Sequence, residues 1–419
     1  MDAIIHLAPH TLQMTTLVIF CLTYLGIAIG RIYGLALDRT GIILLGSIAM
    51  LAVGSISLKQ AVDSISAPSM ILLFSLMVIA SQLRLAGFYH RTAIFIAQYL
   101  DKPAVFLAIL MASSGFLAAF LNNDVVCFAF APVIAQATLK KGYNPVPFLI
   151  ALALASNIGC TLTTIGNAQN VLVGQLAHLD FGAYMAWVAT PVCLAMAAAY
   201  IVVYFLGHKQ FHLPEGKTPS PTITDDMPFN TWRTTKGLGS LAIIVCLFFT
   251  DIPHYLAALT MAGLLLCSHR LSSKQVLQGV DWQLLLLFTG LFVVVGAFHQ
   301  SGLAQQGVEI LTRHHINLDN PFTLAITSGV LSNLINNSAA VMLLVNVTDF
   351  SNPVNGYALA LSNSFAGNML LIGSMANIVV VQYAANFGIK ISFAEFAKYG
   401  IPTAFASFAI LLSWMWIMQ

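Results

Sequence analysis

Two short polar runs stand inside otherwise apolar sequence: Leu121-Asn122-Asn123-Asp124 and Ile335-Asn336-Asn337-Ser338. Each side-chain amide brings both donors and an acceptor, and the carboxylate or hydroxyl beside it adds an oxygen for a small cation or a proton. Behind each run lies a second polar stretch. Ser156-Asn157 leads to Ile165-Gly166-Asn167-Ala168-Gln169-Asn170, and Ser362-Asn363 leads, with one residue inserted, to Ile372-Gly373-Ser374-Met375-Ala376-Asn377. These groups bind rather than break bonds. No span carries a nucleophile with a base or an HExxH-type metal motif, which excludes a membrane-embedded enzyme, and no cofactor is expected. The six cysteines show no CxxC spacing and read as small buried residues, not a zinc site. His314-His315 lacks a spaced carboxylate, and His299 stands near a span end as a snorkelling group.

Asp124 is the sharpest feature. Of the 15 acids it alone falls away from a span end or loop, and an ionisable group at depth is expensive unless it works. It is expected to carry the coupling proton or to join a Na⁺ site; the alternative is a capping aspartate satisfied by backbone N–H groups at a turn. Its counterpart is Ser338, so the fold does not require the acid.

The elements that position these groups follow from composition. Of 419 residues, 58% are hydrophobic and 8% charged, which excludes a water-soluble domain and calls for an all-α polytopic membrane protein rather than a barrel. Spans are expected over Thr15–Gly30, Gly41–Ile56 and Ser69–Leu85, joined by short loops holding Arg31, Arg39 and Lys59. An interfacial segment over Arg91–Lys102 follows, then a hairpin over 103–139, a broken helix over 147–182 and a last span over Ala183–Leu206. Residues 208–236, with Pro214, Pro219, Pro221 and Asp225-Asp226, form a linker. Residues 237–419 then repeat 1–207, with a hairpin over 321–349 and a broken helix over 356–387. Ser114-Gly115 and Ser328-Gly329 precede the two tips at identical spacing, Lys59-Gln60 matches Lys274-Gln275, and Pro191 and Pro402 close the halves. Gly159, Gly166, Gly367 and Gly373 are expected to permit the unwound geometry.

Ala339–Val347 is too short to cross a bilayer at about 1.5 Å per residue, so both hairpins are expected to be re-entrant. Five spans per half is an odd number, which makes the halves an inverted repeat. With both termini outside and the linker cytoplasmic, only Lys59 and Arg313 of 17 Lys and Arg fall outside. Arg84 and Lys398 then read as cytoplasmic anchors. The start of the chain lacks the basic residues of a cleavable signal, so the first span is expected to stay in the mature protein. A net charge of +2 points to no nucleic-acid partner.

With these motifs the chain resembles the ion transporter superfamily, which includes arsenite permeases, citrate-transporter-like anion permeases and divalent anion:sodium symporters. The resemblance rests on Asn122-Asn123-Asp124 with Pro132, on Ser156-Asn157-Ile158-Gly159 leading to Asn170, and on their second-half counterparts. It implies a scaffold and a transport domain, elevator-like alternating access and a homodimer. It also implies substrate bound at Asn122, Asn123, Asp124, Asn336, Asn337 and Ser338 on the tips, at Ser156, Asn157, Gly166, Asn167 and Asn170 on the first break, and at Ser362, Asn363, Gly373, Ser374 and Asn377 on the second. The tips depart from the Ser-Asn-Thr of the sodium-coupled dicarboxylate branch.

The function expected is secondary active transport of a small anion or oxyanion across the cytoplasmic membrane, coupled to H⁺ or Na⁺. A Na⁺/H⁺ antiporter is the alternative, since the same amides and acid could bind Na⁺ alone. A passive anion channel fits less well, because inverted broken helices create an occluded site rather than a continuous pore.

Overall fold

The computed structural model describes residues 8–30, 37–211, 229–267, 272–314 and 316–419. Among them there is no strand. The first half runs α1 (Pro9–Ile29), α2 (Arg39–Val53), α3 (Leu58–Ser64), α4 (Ala67–Leu85), α5 (Phe88–Ala97), α6 (Pro103–Leu121), α7 (Asn123–Lys140), α8 (Pro145–Gly159), α9 (Ala168–Leu176) and α10 (Phe181–Gly207). The second runs α11 (Thr231–Leu247), α12 (His254–Leu266), α13 (Ser273–Leu277), α14 (Trp282–Gln300), α15 (Leu303–Arg313), α16 (Pro321–Ile335), α17 (Asn337–Val345), α18 (Pro353–Ala366), α19 (Met375–Asn386) and α20 (Phe393–Ile417).

The halves share their punctuation as well as their order. Capping boxes start α3 (Ser57 with Gln60) and α13 (Ser272 with Gln275), each satisfying two N-terminal donors reciprocally. Left-handed Gly87 and Gly302 precede α5 and α15. Asn144 and Asn352 cap α8 and α18 ahead of a proline at the first helical position, where its missing N–H costs nothing.

Packing exchanges the halves. α4 lies against α11 and α12, while α14 lies against α1 and α2; α6 packs on α8, α16 on α18, and α10 on α20. At the α2–α14 contact Ser47 Oγ donates to Gly290 O at 3.0 Å, an approach that a side chain at Gly290 would block, its Cβ falling 2.4 Å from Ile43 Cγ2. Every residue of α8 is buried, including Ser156 and Asn157. The outside is apolar: Val18, Leu22, Leu25 and Ile29 project from α1, and Leu194, Ile201 and Phe205 from α10. Amides inside and leucines outside reverse the arrangement of a water-soluble protein and suit lipid. Among the described residues seven helices are long and apolar enough to cross a membrane, and the chain is a multi-pass membrane protein.

Four expectations change. Lys59 lies in helix α3 rather than a loop. The segment placed at Arg91–Lys102 starts earlier, as α5, with Tyr89, Ala93 and Ile96 buried on one face. Only Cys127 and Cys160 are buried; Cys21, Cys193, Cys246 and Cys267 lie on the outer surface, where a small apolar side chain meets no penalty against lipid. Gly159, Gly166, Gly367 and Gly373 are all at negative φ, so backbone freedom does not explain them; contact does, as described below. Arg31, Pro214, Lys217, Pro219, Pro221, Asp225, Asp226, Arg270 and His315 lie outside the described residues.

Candidate functional site

The two polar runs are the turns of two helical hairpins. Asn122 joins α6 to α7 at φ +69° and Asn336 joins α16 to α17 at φ +92°. Left-handed backbone is costly for most side chains, and asparagine tolerates it because its short amide bonds locally. Here Asn122 Oδ1 accepts from Asp124 N–H and Asn336 Oδ1 from Ser338 N–H, both at 2.9 Å. Asn122, not Asp124, is therefore the cap, which removes the capping account of the aspartate. The carboxylate of Asp124 accepts no hydrogen bond from the described residues.

Behind the tips, α8 ends in a single 3₁₀ turn and α9 starts afresh at Asn167, whose Oδ1 caps Asn170 N–H at 2.6 Å. In the second half α18 ends before a matching turn and α19 starts at Ser374, which caps Ala376 N–H at 3.3 Å. Each break frees carbonyls, and one asparagine in each half gathers two of them. Asn170 Nδ2 donates to Cys160 O and Thr163 O, both at 3.2 Å. Asn377 Nδ2 donates to Gly367 O at 2.8 Å and Leu370 O at 3.1 Å. The glycines let backbone meet backbone: a Cβ on Gly159 would fall 2.2 Å from Gly115 O, one on Gly166 2.1 Å from Cys160 O, and one on Gly373 2.9 Å from Gly367 O. On Gly367 it would fall 2.7 Å from Asn337 Nδ2.

Asn157 is where the halves meet. Its Oδ1 accepts from Asn123 Nδ2 at 2.9 Å and Ser374 Oγ at 3.0 Å, and its Nδ2 donates to Asn377 Oδ1 at 2.9 Å and Asn368 Oδ1 at 3.0 Å. Further bonds cross the halves at this junction: Asn167 Nδ2 to Ser364 Oγ at 3.1 Å, Gln169 Nε2 to Ser338 Oγ at 2.8 Å and Asn368 Nδ2 to Leu154 O at 3.3 Å. Asn123 N–H also donates to Gly166 O at 3.1 Å.

A cavity of about 30 Å³ lies at this junction, lined by Asn123, Asp124, Asn157, Asn167, Asn336, Asn337, Ser338, Gly373 and Ser374, with Ala168, Gln169, Leu284, Ser364 and Met375. The first residues of α7, α9, α17 and α19 all reach it, so four helix N-termini point at one space. The remaining expected residues act from behind. Asn122 shapes the turn, Gly166 accepts from the tip, and Asn170 and Asn377 hold the breaks. Asn363 Nδ2 donates to Asn337 O at 3.1 Å. Ser362 Oγ bonds within its own helix to Leu359 O, and fully buried Ser156 does not reach the cavity. Gln169, Ser364 and Asn368 were not expected. Gln169 stood in the quoted motif; Ser364 pairs with an apolar position, Ile158, in the other half; Asn368 sits beside the inserted residue, where the repeat loses register. His299 closes α14 as expected, and Lys398 lies exposed beside the Tyr399 ring.

Several known proteins are similar to this chain. A 46 kDa membrane protein of Mycobacterium leprae (strain TN) is 29% identical over 370 residues, covering 83% of this chain and 85% of that one. The silicon efflux transporter LSI3 of Oryza sativa subsp. japonica is 22% identical, covering 90% and 92%. The crystal structure of the Alcanivorax borkumensis YdaH transporter superposes with a TM-score of 0.58 over 98% of both chains at 13% identity, a likeness of fold alone. The citrate transporter family (CitMHS) matches residues 24–359, the greater part of the chain, and the protein belongs to that family, within the ion transporter superfamily.

Proposed function

We propose that the protein is a secondary active transporter of a small anion or oxyanion, coupled to H⁺ or Na⁺ and working by elevator-like alternating access in the cytoplasmic membrane. Residues 1–207 and 237–419 serve as inverted repeats with re-entrant hairpins, residues 208–236, of which 231–236 already belong to α11, as the cytoplasmic connection between them, and both termini face outside. The protomer is expected to work as a homodimer. The observation that carries this reading is the convergence of four helix N-termini and both hairpin tips on one small cavity.

The electrostatics give a reason for coupling. Each helix N-terminus presents roughly half a positive charge, so four together outweigh the single carboxylate of Asp124 and favour an anion. An anion beside an ionised Asp124 is still repelled strongly at low dielectric. A proton on Asp124, or Na⁺ held by Asp124 with the neighbouring amide oxygens, removes that repulsion, so anion and coupling ion enter together. The cavity has room for an ion or about two waters. A tricarboxylate therefore requires the tips to part from the breaks, which is the motion that alternating access supplies.

The second reading, a Na⁺/H⁺ antiporter, draws on the fact that Asp124 is the one ionisable group lining the cavity. Proteoliposomes separate the two. The proposal expects saturable uptake of radiolabelled citrate, phosphate, arsenite or silicate, concentrated by an imposed pH or Na⁺ gradient. Na⁺ movement that needs no anion establishes the antiporter, and flux that ignores the gradients establishes a channel.

A further inference from the structure

A larger space than the tip cavity lies away from both hairpin turns. A cavity of about 580 Å³ opens between the end of α4, the start of α5, the middle of α7 and the end of α19, its walls including Arg84, Tyr89, His90, Phe128, Gln136 and Tyr383. That volume falls within the roughly 300–1,000 Å³ of small-molecule sites.

Two groups in it have no ionic or hydrogen-bonding partner among the described residues. Arg84 is half-buried, and no carboxylate lies within ion-pair distance of it; the ion pairs among the described residues are Lys141 with Asp101 and Arg313 with Glu309. Its guanidinium rests 5.6 Å from the centre of the Phe128 ring, a cation–π contact that aims it across the gap at the first hairpin. Gly279, in the turn between α13 and α14, leaves room for it: a Cβ there would fall 2.7 Å from Arg84 Nη2. Tyr89 is 1% exposed and its hydroxyl has no hydrogen-bond partner, an arrangement that costs free energy unless a ligand supplies the partner.

The spaces are strung in order. Arg84 also lines a cavity of about 60 Å³ together with Asn122, Asp124 and Asp281, and Asp124 lines the tip cavity as well. Arg84 is thus the wall shared by the large and the 60 Å³ cavities, and Asp124, Asn167 and Leu284 are the walls shared by the 60 Å³ cavity and the tip cavity.

We infer that the 580 Å³ cavity is an antechamber in which Arg84 and Tyr89 bind the oxyanion before it reaches the tips. The guanidinium fork matches a carboxylate or mineral oxyanion bidentately, the tyrosine hydroxyl donates a further bond, and Phe128 and Tyr383 flank the ligand's body. This assignment revises Arg84 from an anchor at the membrane surface to an anion-recruiting residue. It rests on the transport reading above for the identity of its ligand, but not for its charge preference.

The test reads that preference without transport. With Cys21, Cys193, Cys246 and Cys267 replaced by alanine, the cavity-wall variant Ala129→Cys is reacted with sulfonatoethyl and trimethylammonioethyl methanethiosulfonates, each rate being normalised to free cysteine. The anionic reagent should be favoured about tenfold, and Arg84→Gln should abolish the preference while Arg84→Lys keeps it. A normalised ratio at or below one overturns the antechamber, as does failure of both reagents to react or a ratio that Arg84→Gln leaves unchanged. In uptake, Arg84→Gln should raise the half-saturating concentration about tenfold, with a smaller change in maximal rate. A clear anionic preference without gradient-driven uptake would sink the transporter reading and leave the antechamber standing.

Discussion

The two hairpin tips are built alike and charged differently. Both turn on a left-handed asparagine that caps the residue two places on, and both tie their second asparagine to the break behind: Asn123 Nδ2 to Asn157 Oδ1, and Asn337 O to Asn363 Nδ2. The third position separates them. Ser338 Oγ is held by Gln169 Nε2 from the second residue of α9. The corresponding residue of α19 is Ala376, which offers Asp124 no donor. The turn therefore demands its amides, while the acid is dispensable to the fold and lacks the partner that its counterpart has. That unpartnered carboxylate is the group proposed above to take up the coupling proton or cation.

The comparison breaks most severely at Asn157. It holds four partners from both halves, whereas Asn363 Nδ2 holds only Asn337 O. Asn157→Ala leaves several buried polar groups unpaired at about 1–3 kcal/mol each. It should abolish uptake and lower the melting temperature in detergent far more than Asn363→Ala; equal losses would mean that the halves do not meet at this residue. Next in size is the charge itself. Asp124→Asn keeps the shape and should leave a folded protein whose uptake no longer responds to the driving gradient, while Ser338→Ala should retain that response. Side-by-side uptake with and without a pH or Na⁺ gradient reads both, and an unchanged gradient response in Asp124→Asn removes the aspartate from coupling.

The tips and breaks were legible in the sequence because polar groups among apolar ones must be compensated in lipid, and duplication made chance an inadequate explanation. What escaped depends on the third dimension. Cys193 and Cys160 look alike in sequence, yet one faces outward and the other lies against Asn167. Gly166 suggested unwinding, but its role is to let the Asn123 N–H and the Cys160 carbonyl come close. The helices α3 and α13 carried a readable Ser-x-x-Gln signature and were missed because they are too short to register as spans. Arg84 shows the same limit: its position at a helix end suits an anchor, and only the packing of α7 against α5 shows that it also lines a cavity.

A smaller contrast lies in the break clamps. Asn170 and Asn377 each gather two freed carbonyls, but Asn377 Oδ1 also accepts from Asn157, whereas Asn170 Oδ1 has no partner. Asn377→Ala should therefore destabilise by about 1 kcal/mol more than Asn170→Ala. Thermal melts of the two variants in the same detergent test the difference, and a larger loss in Asn170→Ala would place the heavier connection in the wrong half.

The smallest effect should come from Gln169→Ala, which gives the second tip the same lack of a donor as the first. Losing one hydrogen bond between neutral groups costs about 0.5–1.5 kcal/mol, and because Ser338 gains no charge, the gradient dependence of uptake should stay as it was. A cycle with Ser338→Ala isolates the pair, since the double variant should lose little beyond Gln169→Ala alone. If Gln169→Ala instead shifts the response to pH or Na⁺, an unpaired hydroxyl at the tip suffices to alter coupling, and the distinction between the tips lies in their unequal partners rather than in the charge of Asp124.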